Sequence, residues 1–360
     1  MIVGVQGPGG GMTQATRCVA AHRVDDVALS PDGKRVAIAS SGSFFATLQL
    51  FDIGSGTARW RVRRARRVGF TEGAFSADGS LLCVGGRDKA TILDAGDGHV
   101  VGRCGVTPGD NSPSTQAYIS PDGSWLITLL GASGRVYDVR SGAETLRFRR
   151  RHALQYSPDG TRIATLGEDG IDVWDAASFQ LQAARARSWS RPRSVDYDDP
   201  IARLQNVPAE TNRVQFGGCS HVLVTAASND SVIRVWDVAS GTLTGLCDTA
   251  PGTKWLTLGD GCGRVALTSC TDGTLRVWDV TTGQERSRLP TPQGFWIGVI
   301  NCDATKLATS DGGQSVEIWS IAGGPRQQPP PDAAVPDDWC SRCGAGWPEG
   351  PPPDKASGLS

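Results

Sequence analysis

The stretch Thr271–Gly283 reads Thr-Asp-Gly-Thr-Leu-Arg-Val-Trp-Asp-Val-Thr-Thr-Gly, and the rest of the chain repeats it. It opens with the tight-turn pair Asp272-Gly273, continues as a short strand that contains Trp278, and stops at a second turn. A strand this short cannot bury its apolar face alone, so it must stack on copies of itself. The stretch therefore predicts a repeat protein.

Six further copies of the Trp-Asp segment are present, which makes seven. The aspartates that close the strands, with Ser320 in the last copy, are spaced by 42, 44, 37, 62, 42 and 41 residues. One spacing is much longer than the others and marks an insertion. The further copies are Leu48–Gly56, Ala90–Gly98, Gly134–Gly142, Ile171–Ala177, Ser231–Gly241 and Val316–Gly323.

A second motif precedes each of the first four copies. It has the form Ser-x-Asp-Gly, which places turn-forming residues between two apolar runs. The last three repeats are also predicted to have a turn at this place, but its sequence differs from Ser-x-Asp-Gly. Each unit is therefore predicted to be a strand, a turn, a strand, a turn, the Trp-Asp strand, a turn and an outer strand. The four motifs are Ser30–Gly33, Ser76–Gly79, Ser120–Gly123 and Ser157–Gly160.

These two motifs in alternation resemble the WD-repeat β-propellers, a family with a period of about 40–45 residues and four strands per blade. The resemblance covers about Val24–Gly324. It implies an all-β fold, a seven-bladed β-propeller of four-stranded antiparallel blades. The Gly-His pair that usually starts a family repeat is missing, so we expect the family's buried Asp–His–Ser–Trp network to be incomplete. We interpret the turn aspartates as turn formers and not as catalysts. These are Asp88, Asp169, Asp230, Asp272 and Asp311.

The ends of the chain complete the predicted domain organisation. The seventh repeat lacks an outer strand, and Ala15–Ala20 has the register of one, so we expect this N-terminal strand to pair in the last blade and close the ring. Residues 1–14 are then a flexible leader, 15–324 the propeller, and 325–360 a Pro-rich disordered tail. The Gly-rich start lacks the lysine of a phosphate-binding loop.

The composition narrows the class of protein. The net charge of −1 gives no argument for nucleic-acid binding. No stretch is long and apolar enough to span a membrane. With no signal peptide evident, we expect a cytoplasmic protein. Ten cysteines in 360 residues are too few for a disulfide scaffold. Cys219, Cys262 and Cys302 share the first turn of three successive repeats and are interpreted as small thiols, with a metal or disulfide as the alternative.

Arginines concentrate in the outer strands and the connections that follow them. In Arg59–Arg67, Trp60 and Val62 alternate with arginines, so one face should pack and the other should be solvated. Connections from an outer strand to the next inner strand lie on one rim, where the arginines should gather. They form either a solvated edge or a docking surface for an acidic partner. The rim set is Arg64, Arg66, Arg67, Arg150, Arg151, Arg191 and Arg193.

The long spacing is assigned to an insertion at about 183–211, after the outer strand of the fourth blade and on the same rim as the arginines. Loops of this length without a strand pattern are usually functional or disordered. Trp189 is a polar-flanked aromatic of the kind enriched in binding surfaces, and we take it as a candidate contact. The family's partner contacts often precede the turn aspartate. Here those positions hold Arg87, Glu168, Asn229 and Thr271, a chemically mixed set.

The tail contains Trp339-Cys340-Ser341-Arg342-Cys343-Gly344, a Cys-x-x-Cys motif. Two thiolates at this spacing can grip one zinc ion, but a structural zinc needs four ligands and no second pair follows. The motif is unliganded, shares a metal with another chain, or is redox-active. The redox alternative lacks its βαβ context. We therefore predict no cofactor, with zinc at Cys340 and Cys343 only where another chain completes the site.

The sequence favours a non-enzymatic scaffold that presents a propeller rim and funnel to partner proteins or peptides. We expect a propeller that is monomeric by itself within a larger complex. One alternative is nucleic-acid or polyanion binding through the arginines. Another is a propeller enzyme, which needs several His, Asp or Glu side chains on the axis. The four scattered histidines make such a site hard to assemble.

Overall fold

The Trp-Asp segments are strands, and each is the third strand of an antiparallel sheet. The computed structural model describes residues 4–5, 12–43, 45–64, 68–70, 74–86, 89–105, 116–130, 133–149, 153–157, 159–167, 170–178, 200–217, 220–227, 231–249, 252–259, 265–290, 297–301, 305–321, 339–340 and 345–346. The predicted strand order within each repeat is confirmed.

The first four blades follow one another along the chain, and each runs from an inner first strand to an outer fourth strand. In blade two, a bridge between Phe75 and Leu82 extends the inner edge. The strands are β3 (Arg23–Leu29), β4 (Arg35–Ser41), β5 (Ala46–Asp52) and β6 (Ala58–Arg64) in blade one; β7 (Val68–Gly69), β8 (Leu81–Gly86), β9 (Lys89–Asp94) and β10 (Val100–Gly105) in blade two; β11 (Gln116–Ile119), β12 (Trp125–Leu130), β13 (Ser133–Asp138) and β14 (Glu144–Arg149) in blade three; and β15 (Ala153–Tyr156), β16 (Arg162–Gly167), β17 (Gly170–Asp175) and β18 (Ala202–Leu204) in blade four.

The last three blades repeat this order, and the seventh takes its outer strands from the N-terminal end. A separate two-stranded sheet lies near the C-terminal end, formed by β30 (Trp339–Cys340) and β31 (Ala345–Gly346). The remaining strands are β19 (Arg213–Phe216), β20 (Val222–Ala226), β21 (Val232–Asp237) and β22 (Thr242–Asp248) in blade five; β23 (Thr253–Leu258), β24 (Val265–Cys270), β25 (Thr274–Asp279) and β26 (Gln284–Pro290) in blade six; and β27 (Ile297–Ile300), β28 (Lys306–Ser310), β29 (Ser315–Ile321), β2 (Met12–Val19) and β1 (Gly4–Val5) in blade seven.

The ring closes as predicted, because β2 pairs antiparallel with β29 from Met12 opposite Ile321 to Val19 opposite Ser315. The strand has a β-bulge between Gln14 and Thr16. Bulges at the matching place occur in the outer strands β6, β10, β14, β22 and β26. The N-terminal strand thus has the geometry of an outer strand. It begins before the predicted residue 15, and β1 adds a fifth strand beside it.

The apolar core lies between blades. Seven clusters of buried side chains each join two neighbouring blades, and the last of them joins blade seven to blade one. Cys18 and Ala20 extend from the closing strand into that last cluster, where they meet Phe51 and Ile53. Each blade therefore buries its two faces against its neighbours, which explains why a single repeat cannot fold alone.

The alternating strand directions give the ring two distinct rims. The turns between first and second strands and between third and fourth strands lie on one, which we call the turn rim. The connections between second and third strands and between blades lie on the other, the loop rim. The predicted arginine set follows outer strands and therefore belongs to the loop rim.

The Ser-x-Asp-Gly motifs build one hydrogen-bonded turn on the turn rim. In blade three, Ser120 Oγ donates to Asp122 Oδ1 at 2.5 Å and accepts from Trp125 N at 2.9 Å, and Gly123 has a φ of +73°. The same bonds recur in blades one, two and four. Neighbouring turns also touch, since Arg35 Nη2 donates to Gly79 O at 2.8 Å. The Ser-x-Asp-Gly motif therefore has a structural role, which is to form this turn.

The predicted place of the insertion is wrong. Ala202–Leu204 lies inside 183–211, yet it is the fourth strand of blade four and pairs with Ile171–Val173. The Arg203 carbonyl also faces Gly241 of blade five. The extra segment therefore joins the third strand to the fourth and does not follow the fourth. Backbone pairing and the burial of Leu204 define this strand, and three residues are too few to show a pattern in the sequence.

The correction moves the insertion to the opposite rim. Connections between third and fourth strands lie on the turn rim, so the segment leaves β17 there and not at the arginine-bearing loop rim. Trp189, Arg191 and Arg193 belong to this segment and lie outside the described residues. Their part in the predicted rim set therefore stays a prediction.

Candidate functional site

The outer strand of blade one carries a row of exposed arginines. Arg59, Arg61 and Arg63 are exposed, whereas the intervening Trp60 and Val62 are half-buried, as the alternation predicted. We call Arg59, Arg61 and Arg63 the arginine ladder. Strand β6 pairs with β5 on one side only and ends the sheet on the other. The ladder therefore stands on an edge strand of the sheet.

Trp60 holds this strand against the next blade. Its Nε1 donates to Ala95 O at 3.1 Å, and its ring covers Gly98, where an added Cβ would lie 2.7 Å from Cδ2. Gly98 has a φ of +78° in the turn that follows β9. The aromatic side of the strand is thus used for blade packing, which leaves only the arginine side for other contacts.

The ladder is only weakly neutralised by the described part of the chain. Arg59 has Asp52 at 3.9 Å, with side chains 47% and 35% exposed. An exposed pair of this kind contributes about 0–1 kcal/mol. Arg61 has no carboxylate partner among the described residues. Arg63 lies over the ring of Phe45, with its Cζ 4.8 Å from the centroid. The positive charge therefore remains available at this surface.

Phe45 connects the ladder to a histidine on the loop rim. The rings of Phe45 and His22 meet edge to face with centroids 5.5 Å apart. His22 also packs on Gly42, where an added Cβ would lie 3.2 Å from its ring. Its Nε2 is buried with no hydrogen-bond partner among the described residues. His22 therefore does not form the family's buried Asp–His–Ser–Trp network. Its contact with Phe45 could not be inferred from the sequence.

The buried tryptophans do keep one link of such a network. Trp236 Nε1 donates to Thr225 Oγ1 at 2.9 Å. The same Trp-to-Thr bond occurs in blades four, six and seven. Each bond joins the second and third strands of one blade and gives the buried ring N–H an acceptor, so these bonds are structural.

Most of the predicted contact residues lie outside the described part of the chain, and their roles stay predictions. Arg64 ends β6 directly after the ladder. Thr271 is exposed and its N–H donates to Gly252 O at 2.8 Å. Beside it, Asp272 accepts from Thr274 N at 3.0 Å, as expected of a turn former. The predicted residues outside the described ranges are Arg66, Arg67, Arg87, Arg150, Arg151, Glu168, Trp189, Arg191, Arg193, Asn229 and Cys343.

One group of metal-binding side chain types converges in the described residues, namely Asp94, Asp97 and His99. It forms the turn between the third and fourth strands of blade two. Asp94 Oδ1 accepts from Gly96 N at 2.6 Å, and Asp97 Oδ1 lies 2.6 Å from His99 Nδ1. The hydrogen bonds from the His99 backbone and ring lower the pKa of Asp97. The matching aspartates Asp52 and Asp138 make the same kind of turn bond, so this group is explained as a turn.

The fold defines the class of protein, a seven-bladed β-propeller of four-stranded antiparallel blades. Residues 242–279 match the family model described as WD40, WD domain, G-beta repeat. The match to the WD-repeat model and the propeller fold together confirm the resemblance seen in the motifs.

Comparison with solved structures supports the fold. The chain is similar to the β-propeller domain of Myceliophteria thermophila Cps50 (Swd1), with 14% sequence identity and a TM-score of 0.63. The match covers 84% of this chain and 98% of that one. No curated protein matches the sequence. In the described part of the chain, no helix has the length and apolar character needed to cross a membrane. The cytoplasmic location stays a prediction from the sequence.

Proposed function

We propose that this propeller is a non-catalytic scaffold that binds an acidic protein partner through the arginine ladder of blade one. The observation that carries the proposal is the exposure of Arg59, Arg61 and Arg63 on one edge strand, with Asp52 as a distant and weak counter-charge. WD-repeat propellers generally bind proteins, which supports a role of this kind.

The spacing of the ladder suits an extended acidic segment. Alternate residues of a β-strand are about 6.8 Å apart and point to the same side. A partner strand with Asp or Glu at alternate positions repeats at the same distance, so its carboxylates can meet successive guanidinium groups in register. Arginine also favours planar, two-point contacts with carboxylates. Because the net charge of the chain is −1, the attraction is local to this surface.

The described histidines support a non-catalytic role. His22 precedes β3 in blade one, His99 lies in a turn of blade two, and His221 lies in a turn of blade five. His22 therefore lies on the loop rim, whereas His99 and His221 lie on the turn rim, and acid–base catalysis needs such groups within hydrogen-bond reach of one substrate atom.

Polyanion binding is the second candidate, because the same arginines would attract phosphates. Non-specific binding of single-stranded nucleic acid also uses aromatic rings on which bases stack. Trp60 faces blade two and Phe45 is covered by Arg63, so neither ring is presented beside the ladder. This arrangement favours carboxylates over bases.

The test compares two variants with the same change of charge. Arg61→Glu/Arg63→Glu reverses the ladder, and Arg103→Glu/Arg140→Glu reverses two exposed arginines elsewhere. Partners captured from source cells are identified, and the captured protein is then titrated in purified form. We expect the ladder variant to weaken its binding by at least about tenfold and the control to leave it unchanged, because like charges now face each other.

Two results would contradict the proposal. One is equal loss of binding in both variants, which indicates a general charge effect. The other is capture of nucleic acid, with affinity for a plain single strand that falls steeply with salt and is lost in the ladder variant. That second result would establish polyanion binding instead.

A further inference from the structure

Two arginines of the ladder face the blade interface at which the ring closes. Strand pairing places Arg61 opposite Gln49, and Gln49 opposite Ile38. Side chains directly opposite each other in a sheet lie on the same face, as do residues two apart on one strand. Ile38 packs in the apolar cluster that joins blade one to blade seven, whereas Trp60 packs towards blade two. Arg61 and Arg63 therefore lie on the face of blade one that is turned towards blade seven.

The chain crosses this interface next to the ladder. The closing strand β2 ends at Val19, and the chain then passes to β3 of blade one, which begins at Arg23. We call residues 18–22 the closing segment, because they lead from the outer strand of blade seven to the inner strand of blade one. Cys18 and Ala20 are buried in the cluster between these two blades. The closing segment therefore lies against the face of blade one that carries the ladder.

A buried glutamine connects Arg61 to the closing segment. Gln49 accepts a hydrogen bond at its Oε1 from Ala21 N at 2.7 Å. Gln49 is 6% exposed and stands directly opposite Arg61 on the neighbouring strand. Opposite side chains of an antiparallel pair have Cβ atoms about 4.5–5.5 Å apart, so Gln49 touches both the ladder side and the closing side.

An aromatic ring makes the corresponding connection for Arg63. The guanidinium of Arg63 lies over the ring of Phe45, and the same ring meets His22 edge to face. Both rings are half-buried. The contact holds a cation over the face of Phe45 while its edge or face is occupied by the closing segment. The position of Arg63 is thus linked to the position of His22.

The third arginine is connected through a charge. Asp52 lies 3.9 Å from Arg59. Burial and the negative charge of Asp52 raise the pKa of Cys18 in the closing segment to about 11. Asp52 is therefore near enough to Cys18 to act on its thiol, and each arginine of the ladder has one side chain of blade one between itself and the closing segment.

We propose that an extended acidic partner binds the ladder at this interface and holds the closing segment in place, so that partner binding and closure of the ring are coupled. The inference rests on the proposed function of the ladder. When the closing segment leaves blade one, Gln49 loses its hydrogen bond and Phe45 loses one neighbouring ring, so Arg61 and Arg63 lose their fixed positions. A ligand that binds the closed form better shifts the protein towards that form.

The occupant is an extended acidic chain because of the spacing of the arginines. Arg61 and Arg63 are alternate residues of a strand and are about 6.8 Å apart, as are alternate carboxylates of a partner strand. A ligand that contacts both at once uses their relative position. It therefore gains most where that position is fixed in advance, which is the closed form.

The test uses the full chain, a peptide of about nine residues with alternating Glu and Thr, and Cys18 as the reporter. The Cys18 thiol is completely buried and its pKa is raised, so a thiol reagent modifies it when the closing segment opens. Cys104 is a buried free thiol between blades two and three whose pKa burial raises to about 12, and it serves as the internal reference. Mass spectrometry measures the rate of alkylation at each cysteine.

The expected result is selective protection of Cys18. Without peptide, Cys18 should react faster than Cys104, because a segment can open without unfolding of the whole propeller. A ligand that binds only the closed form lowers the open population by about tenfold at ten times its Kd. The peptide should therefore slow the alkylation of Cys18 by about tenfold and leave Cys104 unchanged. A peptide of alternating Lys and Thr should change neither rate.

Variants separate the coupling from the charge. Phe45→Leu/Gln49→Leu removes both connections and keeps every arginine. It should bind the acidic peptide more weakly than the wild type, and at equal occupancy the protection of Cys18 should fall to about twofold or less. Gln155→Leu, which changes a buried glutamine of blade four, is the matched control and should keep full protection. Circular dichroism checks that both variants retain the propeller.

The possible failures are distinguishable. A peptide that binds through the ladder but leaves the alkylation rate of Cys18 unchanged would overturn the coupling and leave the proposed function standing. Equal protection of Cys18 and Cys104 would also overturn it, since that result indicates general stabilisation against unfolding. A wild-type protein that binds no acidic peptide would contradict the proposed function itself, and this inference with it.

Discussion

Trp236 in blade five donates its ring N–H to the hydroxyl of Thr225 at 2.9 Å, and both side chains are buried. The pair spans the second and third strands, with Thr225 two residues beyond Leu223, the partner of Trp236. Blade one has Phe51 and Ile38 at the matching places. In blade one the aromatic ring has no N–H donor and the facing side chain has no hydroxyl. The two positions are therefore matched in polarity in blade one as well as in blade five.

The Trp–Thr pair gives the first prediction. Thr225→Val keeps the shape but leaves the buried N–H of Trp236 without an acceptor, which should lower the free energy of unfolding by about 1–3 kcal/mol. Adding Trp236→Phe removes the donor as well, so the double variant should lose less than the two single losses combined. Urea unfolding of the wild type and three variants measures this coupling. Strict additivity would contradict the proposed bond.

The closing strand gives the second prediction, from two neighbouring residues. Cys18 is completely buried between blades seven and one, whereas Val19 is 60% exposed. Cys18→Asp places a carboxylate in that apolar interface and should destabilise the protein by at least about 3 kcal/mol. Val19→Asp should cost less than about 1 kcal/mol. Thermal unfolding compares the two, and equal small effects would mean that the strand does not close the ring.

The corrected position of the fourth strand in blade four gives the third prediction. Gly241 and Gly283 occupy matching turns and have the same φ of +67°. An added Cβ at Gly241 would lie 2.6 Å from Arg203 O, whereas at Gly283 it would meet nothing within 4 Å. Gly283→Ala should therefore lower the free energy of unfolding by about 1–2 kcal/mol, because alanine disfavours the left-handed conformation.

Gly241→Ala should cost clearly more, because backbone cannot move aside as a flexible side chain can. Chemical denaturation of both variants measures the difference. A Gly241→Ala variant as stable as Gly283→Ala would mean that Ala202–Leu204 does not pack on blade five.

The turn aspartates give the fourth prediction, on pH. Burial opposes the charged form of Asp159, but hydrogen bonds that include those from Ser157 and Ser220 outweigh it, so its pKa is lowered. The pKa values of Asp32, Asp78 and Asp122 are lowered in the same way. A group whose pKa is lower in the folded state stabilises the fold above its unfolded value, about 3.9, and loses that contribution as the pH falls through the folded value.

We therefore expect a urea midpoint that is flat from about pH 7 to pH 5 and falls below about pH 4. Asp159→Asn should lower the midpoint at neutral pH and make the fall in acid shallower, because one titrating group is gone. A midpoint in the wild type that stays constant to about pH 3 would show that these carboxyls do not couple to folding.

The strands and turns could be predicted from the sequence because short local motifs specify them. The Trp-Asp strands and Ser-x-Asp-Gly turns are each built from residues close in sequence, as Ser120, Asp122 and Trp125 illustrate. The ladder followed from the alternation around Trp60 and Val62. In contrast, the contact of Arg63 with Phe45 joins strand β6 to the loop before β5, so no short pattern could reveal it. The same holds for the packing of His22 on Gly42.

The sequence by itself determined the class of fold, the number of blades and the strand that closes the ring, because repeated short motifs specify strands and turns locally. Only the tertiary structure decided where the long segment leaves blade four and which residues form the blade interfaces. An outer strand is defined by the backbone it pairs with and the neighbour it packs against. For Ala202–Leu204 those partners are Ile171–Val173 and Gly241, which lie about 30 and 40 residues away in the chain.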